Sequence, residues 1–199
     1  MRDNGIRSKI RRKFKSTTDS NHSLPVAKNV VKRDFTAKAA NRLWCTDITY
    51  LWTDEGWLYL AAIVDVFSRK VVGWAMKDRL TLPLVLDALE MAVRRQKPGP
   101  GLLHHSDQGC QYAAHEYQKT LTHLGMVPSM SRRGQCWDNA LMESFFHTLK
   151  TEHVYHERFA TKAQAKSSVF EWIEVFYNRQ RIHSAIGFVS PECYERRAA

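Results

Sequence analysis

The chain has 199 residues, 44% of them apolar and 11% aromatic. That is enough to bury a core, which excludes global disorder and leaves room for one domain, or one domain and an arm. The formal net charge of +10 is unevenly spread: residues 1–43 carry 12 Lys+Arg against 3 Asp+Glu, and residues 44–199 carry 18 against 17. A basic arm of this kind suits a polyphosphate partner, because neutralised phosphates release counterions, and a solvated tail reads the same way. The four cysteines (Cys45, Cys110, Cys136, Cys193) make no C-x-x-C pair, so free thiols in a reducing compartment are expected. The N-terminus opens on charged residues, unlike a signal peptide, and no apolar run approaches the roughly 18 residues of a membrane span. The expectation is a cytoplasmic protein with no membrane contact.

Residues 1–40 read as a basic arm or linker with a possible short helix at Ser8–Phe14, and residues 41–199 as the folded domain. Leu43–Thr53 is rich in Trp, Thr, Ile and Tyr and reads as a strand. A turn at Thr53–Gly56 leads into Trp57–Phe67, nearly continuous in apolar residues, as a strand buried on both faces should be. Val71–Met76 is a third strand. Residues 82–96 are helical, with Thr81 as cap and Pro83 in the first turn, and Pro98–Gly101 is a hard break. Leu102–Ser106 is a short strand that ends at Asp107. A helix is expected over 113–124, stopped by Gly125, followed by a strand at Met126–Met130 and a mobile loop at Ser131–Asp138. Asn139–His153 is a helix. Residues 162–178 form another, with Thr161 and Gln164 as a capping box and Ala165, Val169, Trp172 and Phe176 as its apolar stripe. The order β-β-β-α-β-α-β-α-α predicts an α/β fold, a ribonuclease-H-like mixed five-stranded sheet flanked by helices.

Three carboxylates stand out. Asp47 sits mid-strand on the face of Leu43, Cys45 and Leu51, where an unpaired charge is costly and a bound cation or a basic neighbour would offset the cost. A solvent-facing Asp is the plain alternative. Asp107 ends a short apolar strand, where sites gather in open sheets, although an Asp before Gln108-Gly109 is also an ordinary turn residue. Glu143 shares a helix stripe with Asn139, His147 and Lys150, at about −40°, +40° and −20° from it, opposite Leu141, Met142, Phe145 and Leu149. A solvated polar face reads the same way. The spacing says more than the parts: 35 residues separate Asp107 from Glu143, and Lys150 follows seven residues later. Three such carboxylates can hold two Mg²⁺ ions ~3.5–4 Å apart. Asp65, at the end of its strand, is a rival for the first ligand, but its position favours a structural part.

At these residues the chain resembles the second-frame (OrfB) transposases of the IS-three family of bacterial insertion sequences, within the retroviral-integrase superfamily. The matching segments are TTDSNH at 17–22, WCTDITYLWTDEGWLYLAAIVDVFSRKVVGWAM at 44–76, HHSDQGCQY at 104–112, SRRGQCWDNALMESFFHTLKTE at 131–152 and YNRQRIHSAIGFVSPECYE at 177–195. The resemblance implies a catalytic core for metal-dependent DNA strand cleavage and strand transfer at insertion-sequence ends. Asp47, Asp107 and Glu143 would be its catalytic metal ligands for two Mg²⁺, with Mn²⁺ as a substitute, and Lys150 would contact DNA near the scissile phosphate. Asn139, Arg132, Arg133, Arg11, Arg12 and Lys13 are expected DNA contacts, and His105 and Gln108 are expected to support the carboxylates. The implied partners are DNA, the upstream-frame (OrfA) protein or a fusion to it, and further copies of the chain. Family members usually carry a helix-turn-helix-like segment ahead of TTDSNH, so residues 1–40 read as the remnant of an upstream DNA-binding region. The competing expectations are a non-catalytic DNA-binding fragment that regulates the full-length enzyme and a plain ribonuclease-H-type nuclease.

Overall fold

A computed structural model describes residues 22–198; the expected helix at Ser8–Phe14 and the basic cluster Arg11, Arg12 and Lys13 lie outside these. The sheet has five strands: β1 (Leu43–Thr53), β2 (Gly56–Asp65), β3 (Val71–Lys77), β4 (Leu103–Ser106) and β5 (Val127–Met130). Their spatial order is β3-β2-β1-β4-β5. The first three strands are antiparallel neighbours, whereas β4 runs parallel to both β1 and β5. This is the mixed sheet that three hairpin-linked strands followed by strand–helix crossovers dictate.

Strand alternation gives each face its own core. On one face Trp44, Ile48, Ala61 and Ile63 pack against α1 (Leu82–Gln96), α2 (Cys110–Ala113) and α3 (His115–His123). On the other, Leu43, Cys45, Leu51 and Leu60 pack against α4 (Ala140–Glu152) and the segment that follows α5 (Lys162–Glu171). A short helix, α6 (Pro191–Ala198), closes the described chain. Contact between α1 and β3 is close enough to require Gly73, since a Cβ there would stand 2.3 Å from the Ala88 carbonyl oxygen.

Two elements depart from expectation for local reasons. The helix expected over 113–124 is two helices, because Ala114 adopts an extended conformation (φ −58°, ψ 136°) between α2 and α3. Gly125 does follow it with φ +68°. The helix expected over 162–178 changes at Trp172 into a π-helical segment, Trp172–Tyr177. That wider turn advances the buried stripe by one residue: Tyr177 is buried in place of the expected Phe176, which is exposed. Half of the expected capping box is present, since the Thr161 hydroxyl accepts from the Gln164 N–H at 3.1 Å, while the Gln164 side chain accepts from the Ala160 N–H at 2.9 Å, one residue ahead of the cap. Thr81 precedes α1 but makes no side-chain cap bond.

The polypeptide ahead of β1 has little regular structure, yet it is strapped across β4 and β5. The Ser129 hydroxyl accepts from the Val30 N–H (2.9 Å), the Asn29 amide donates to Asp138 (2.9 Å), and Val31 is buried in the core.

Candidate active site

The parallel pairing of β1 with β4 is short. It covers Leu43 with Leu103, Trp44 with His104 and Cys45 with His105, and there the strands part. Asp47 and Asp107 each lie two residues beyond the last pair. Equal offsets on parallel neighbours put both side chains on the same face, near enough for the Asp107 charge to act on Asp47. The two carboxylates thus flank a cleft at the C-terminal ends of diverging parallel strands, where sites form in open sheets.

The electrostatics follow from this placement. Asp47 is half-buried by area but surrounded by protein, and its carboxyl is raised well above the usual range. Burial is the largest cause, followed by the neighbouring Asp107 charge, with Glu143 adding a smaller push. The Ile48 N–H, which donates to Asp47 Oδ1 at 2.7 Å, and the Lys150 ammonium oppose the shift without cancelling it. Asp107 Oδ1 accepts from the Gly109 N–H at 2.9 Å, so the turn geometry read from Asp-Gln-Gly is also present. Glu143 projects from the first turn of α4, exposed, with its carboxyl raised by partial burial. Leu141, Met142, Phe145 and Leu149 are buried on the far side, as the helical pattern requires. Lys150 is half-buried, lowered by desolvation and drawn back up by Asp47, and its Nζ lies 5.1 Å from the centre of the Tyr50 ring.

Among the described residues, no three His, Cys, Asp or Glu side chains close into a finished metal cluster. Asp47 and Asp107 form the close pair, and Glu143 stands at the margin, as mutual repulsion between like charges favours. The donor set still fits a hard divalent cation. It consists of carboxylate oxygens, and the Asp47 carboxyl is held well above its usual range by burial and its acidic neighbours. Beside it, Asn139 Oδ1 is buried without a hydrogen-bond partner.

Asn139 corrects one expectation. It is only 5% exposed, so it does not form part of a DNA-facing surface. It precedes α4 without capping it; its amide instead donates to the Thr46 carbonyl at 3.4 Å, tying the start of α4 to β1 beside Asp47. Arg132 is likewise committed elsewhere. Its Nε donates to Asp138 Oδ2 at 2.9 Å and its Nη2 to Oδ1 at 3.1 Å, because a fully buried carboxylate needs such partners. Arg133 is exposed.

His105 is buried and acts behind the cleft. One ring nitrogen meets Ser129 Oγ at 2.9 Å and the other the Asp138 carbonyl at 2.7 Å, and burial lowers its basicity. Gln108 offers its backbone carbonyl to His22 Nε2 at 2.8 Å. The rival Asp65 is fully engaged: its carboxylate accepts from the N–H groups of Asn41, Phe67 and Ser68 and from the Trp44 indole, at 2.7–3.2 Å.

Sequence reasoning missed Asp138, which lay inside a presumed loop. This buried carboxylate gathers Asn29, Arg33 (Nε–Oδ1 2.7 Å) and Arg132, and it is held well below the usual carboxylate range, chiefly by the Arg132 bond. The only signal was an Asp directly before Asn139 in a segment containing two arginines.

A five-stranded mixed sheet with paired carboxylates past the end of its central parallel pairing, and a helix that carries Glu143 and Lys150 beside them, defines a polynucleotidyl-transferase catalytic core. Residues 37–136 and 124–191 match the integrase core domain. The chain is 49% identical over 192 residues (96% of this chain, 71% of the relative) to the insertion element IS600 uncharacterized 31 kDa protein of Shigella sonnei. It is 45% identical over 197 residues (99% and 68%) to the transposase InsF for insertion sequence IS3A of Escherichia coli K12. In fold it is similar to a chain of the simian T-cell lymphotropic virus intasome (TM-score 0.67, 17% identity, 89% of this chain and 60% of that one). It is also similar to the HTLV-2 integrase catalytic core domain in complex with magnesium (TM-score 0.62, 17% identity, 80% and 99%). The chain belongs to the integrase-core family of insertion-sequence transposases, and it is a DNA transposase catalytic core of a divalent-metal-dependent class. The reading as a non-catalytic regulatory fragment is not favoured. No described helix is long and apolar enough to cross a membrane.

Proposed function

We propose that Asp47, Asp107 and Glu143 are the catalytic carboxylates of DNA strand cleavage and strand transfer at insertion-sequence ends. The observation that carries this reading is the matched placement of Asp47 and Asp107, two residues past the last β1–β4 pair, with Asp47 raised by burial first and then by its acidic neighbours. The three side chains would hold two Mg²⁺ ions, or Mn²⁺ in their place. Ions there supply Lewis-acid activation of the attacking oxygen and stabilisation of the leaving one. Lys150, beside Asp47, binds the phosphate flanking the scissile bond. Asn139 and His105 fix the cleft walls, through Thr46 and Asp138 respectively.

In the first step a water oxygen attacks phosphorus, the P–O3′ bond breaks and a free 3′-hydroxyl remains. In the second that hydroxyl attacks a phosphodiester of the target, and one strand replaces another at phosphorus. No side chain becomes bonded to DNA. The basic stretch ahead of the strap serves as an arm, with Arg11, Arg12 and Lys13 on phosphates, joined by Arg133. The upstream-frame protein or a fusion to it supplies end recognition, and several copies assemble on DNA.

The test is Mg²⁺-dependent nicking and joining of an oligonucleotide carrying the element's own terminal repeat, with the upstream-frame protein supplied. Asp107→Asn and Glu143→Gln should each lower the rate about 10³-fold or more, the equivalent of several kcal/mol of lost charge stabilisation. Lys150→Ala should instead weaken DNA binding across sequences and reduce the salt slope by about one. Full activity in Asp107→Asn would rule out this site.

A further inference from the structure

Beyond its pairing with β4, β1 continues for eight residues beside β2 alone, from Thr46 to Thr53. On this free part, Tyr50 stands opposite Tyr59 and Trp52 opposite Trp57, so four aromatic side chains fall on one face of the hairpin. Three of them form a continuous path. The Tyr50 and Trp57 ring centroids are 4.9 Å apart and those of Trp57 and Trp52 4.8 Å, both pairs edge to face. The inner end of the path is Tyr50, under the Lys150 ammonium. The outer end is open, with Trp52 57% and Trp57 45% exposed.

Cross-strand aromatic pairs stabilise hairpins, but stability does not require two tryptophans half in water. An edge-to-face pair also leaves ring faces free, and a free indole face in water stacks readily on a nucleobase. The two acidic residues at the hairpin tip do not oppose a polyanion alone: Asp54 pairs with Arg158 (3.2 Å), and Glu55 accepts from the Lys162 N–H (2.7 Å).

We propose that Tyr50, Trp52 and Trp57 form a stacking platform for the unpaired bases of a DNA end, leading from Lys150 out along the β1–β2 hairpin. The inference rests on the cleft being the DNA-cleaving site. Where the cut releases a short piece from the end, the opposing strand keeps unpaired nucleotides next to the scissile position, and the platform begins at the side chain assigned to that phosphate. Stacking tolerates any base, so the site takes unpaired nucleotides of any sequence.

The test uses the full chain and two probes of equal sequence, a blunt duplex and a duplex with a short unpaired dT tail, compared by fluorescence anisotropy. Wild type should prefer the tailed duplex. Replacing both tryptophans by leucine should weaken tailed binding about tenfold and leave blunt binding unchanged. Trp52→Phe with Trp57→Phe, which keeps flat rings, should retain most of the preference. If the double leucine variant fails to fold, Trp52→Leu alone, at the more exposed ring, makes the same comparison. Equal binding of the two probes by wild type, or a leucine variant that keeps its preference, would overturn the platform. So would a leucine variant that changes only the oligomeric state by sedimentation, which would assign the face to a second copy. Asp107→Asn should keep the tail preference. A protein without cleavage activity that still shows a tryptophan-dependent tail preference would lose the catalytic reading and keep the platform.

Discussion

Two acidic centres lie on either side of Asn139, and they handle charge in opposite ways. In the cleft, Asp47 is half-buried beside Asp107 and Glu143, and Lys150 only partly answers the charge, so the Asp47 carboxyl is pushed up. At Asp138 a fully buried carboxylate is met by two guanidinium groups, one amide and a backbone N–H, and it is pushed down. The same residue type is finished internally at one place and left in need of a cation at the other. A strongly perturbed carboxylate is therefore not a functional sign by itself; the direction and the cause decide.

The sharpest way to break this contrast is to neutralise each centre in turn. Asp47→Asn should abolish strand cleavage, about 10³-fold or more, and raise the melting temperature of the metal-free protein, since it removes a charge the fold disfavours. A metal-free protein that melts lower with Asp47→Asn would refute the account of the cleft. Asp138→Ala should do the reverse in kind. Chemical denaturation should show a loss of about 2 kcal/mol, because several donors lose their acceptor, although both arginines can reach water. An unchanged denaturation midpoint would mean that Asp138 does not hold the strap. Next in size, Mg²⁺ at tenfold its dissociation constant should stabilise wild type by about 1.4 kcal/mol and Asp47→Asn much less.

The smallest effect is in pH. Asp138 has a depressed folded-state value, so its contribution is complete above the ordinary Asp range near ~3.9 and is lost as pH falls through that range towards the folded value. The stability gap between wild type and Asp138→Asn should accordingly be widest near pH 7 and shrink in acid. A gap that grew on acidification would reverse the assigned sign.

Much of the frame was legible in the sequence because its signals are local. Richness in Trp, Thr, Ile and Tyr marked β1, the apolar run marked β2, and the helical stripe of α4 put Leu141, Met142, Phe145 and Leu149 inside. The pairing that brings Asp47 beside Asp107 was less accessible, since it depends on the register of strands 60 residues apart. Asp138 was out of reach, because its ligands include Asn29 and Arg33, more than 100 residues away, and no periodicity encodes such a contact. The expectation for Asn139 failed for a related reason. A polar residue at a helix start reads as surface until the neighbouring strand is known to lie over it.

The strap has a consequence for the making of the protein. Arg33 and Asp138 are separated by 105 positions, so at ordinary synthesis speeds Asp138 is polymerised roughly 5–20 s after its partner. Glu143 comes later still. Throughout that interval the strap lacks its polar anchors, Ser129 and Asp138. The cleft cannot be assembled on a partly made chain, and a ribosome that stops short of β5 releases a product with neither anchor of the strap nor its third acidic group.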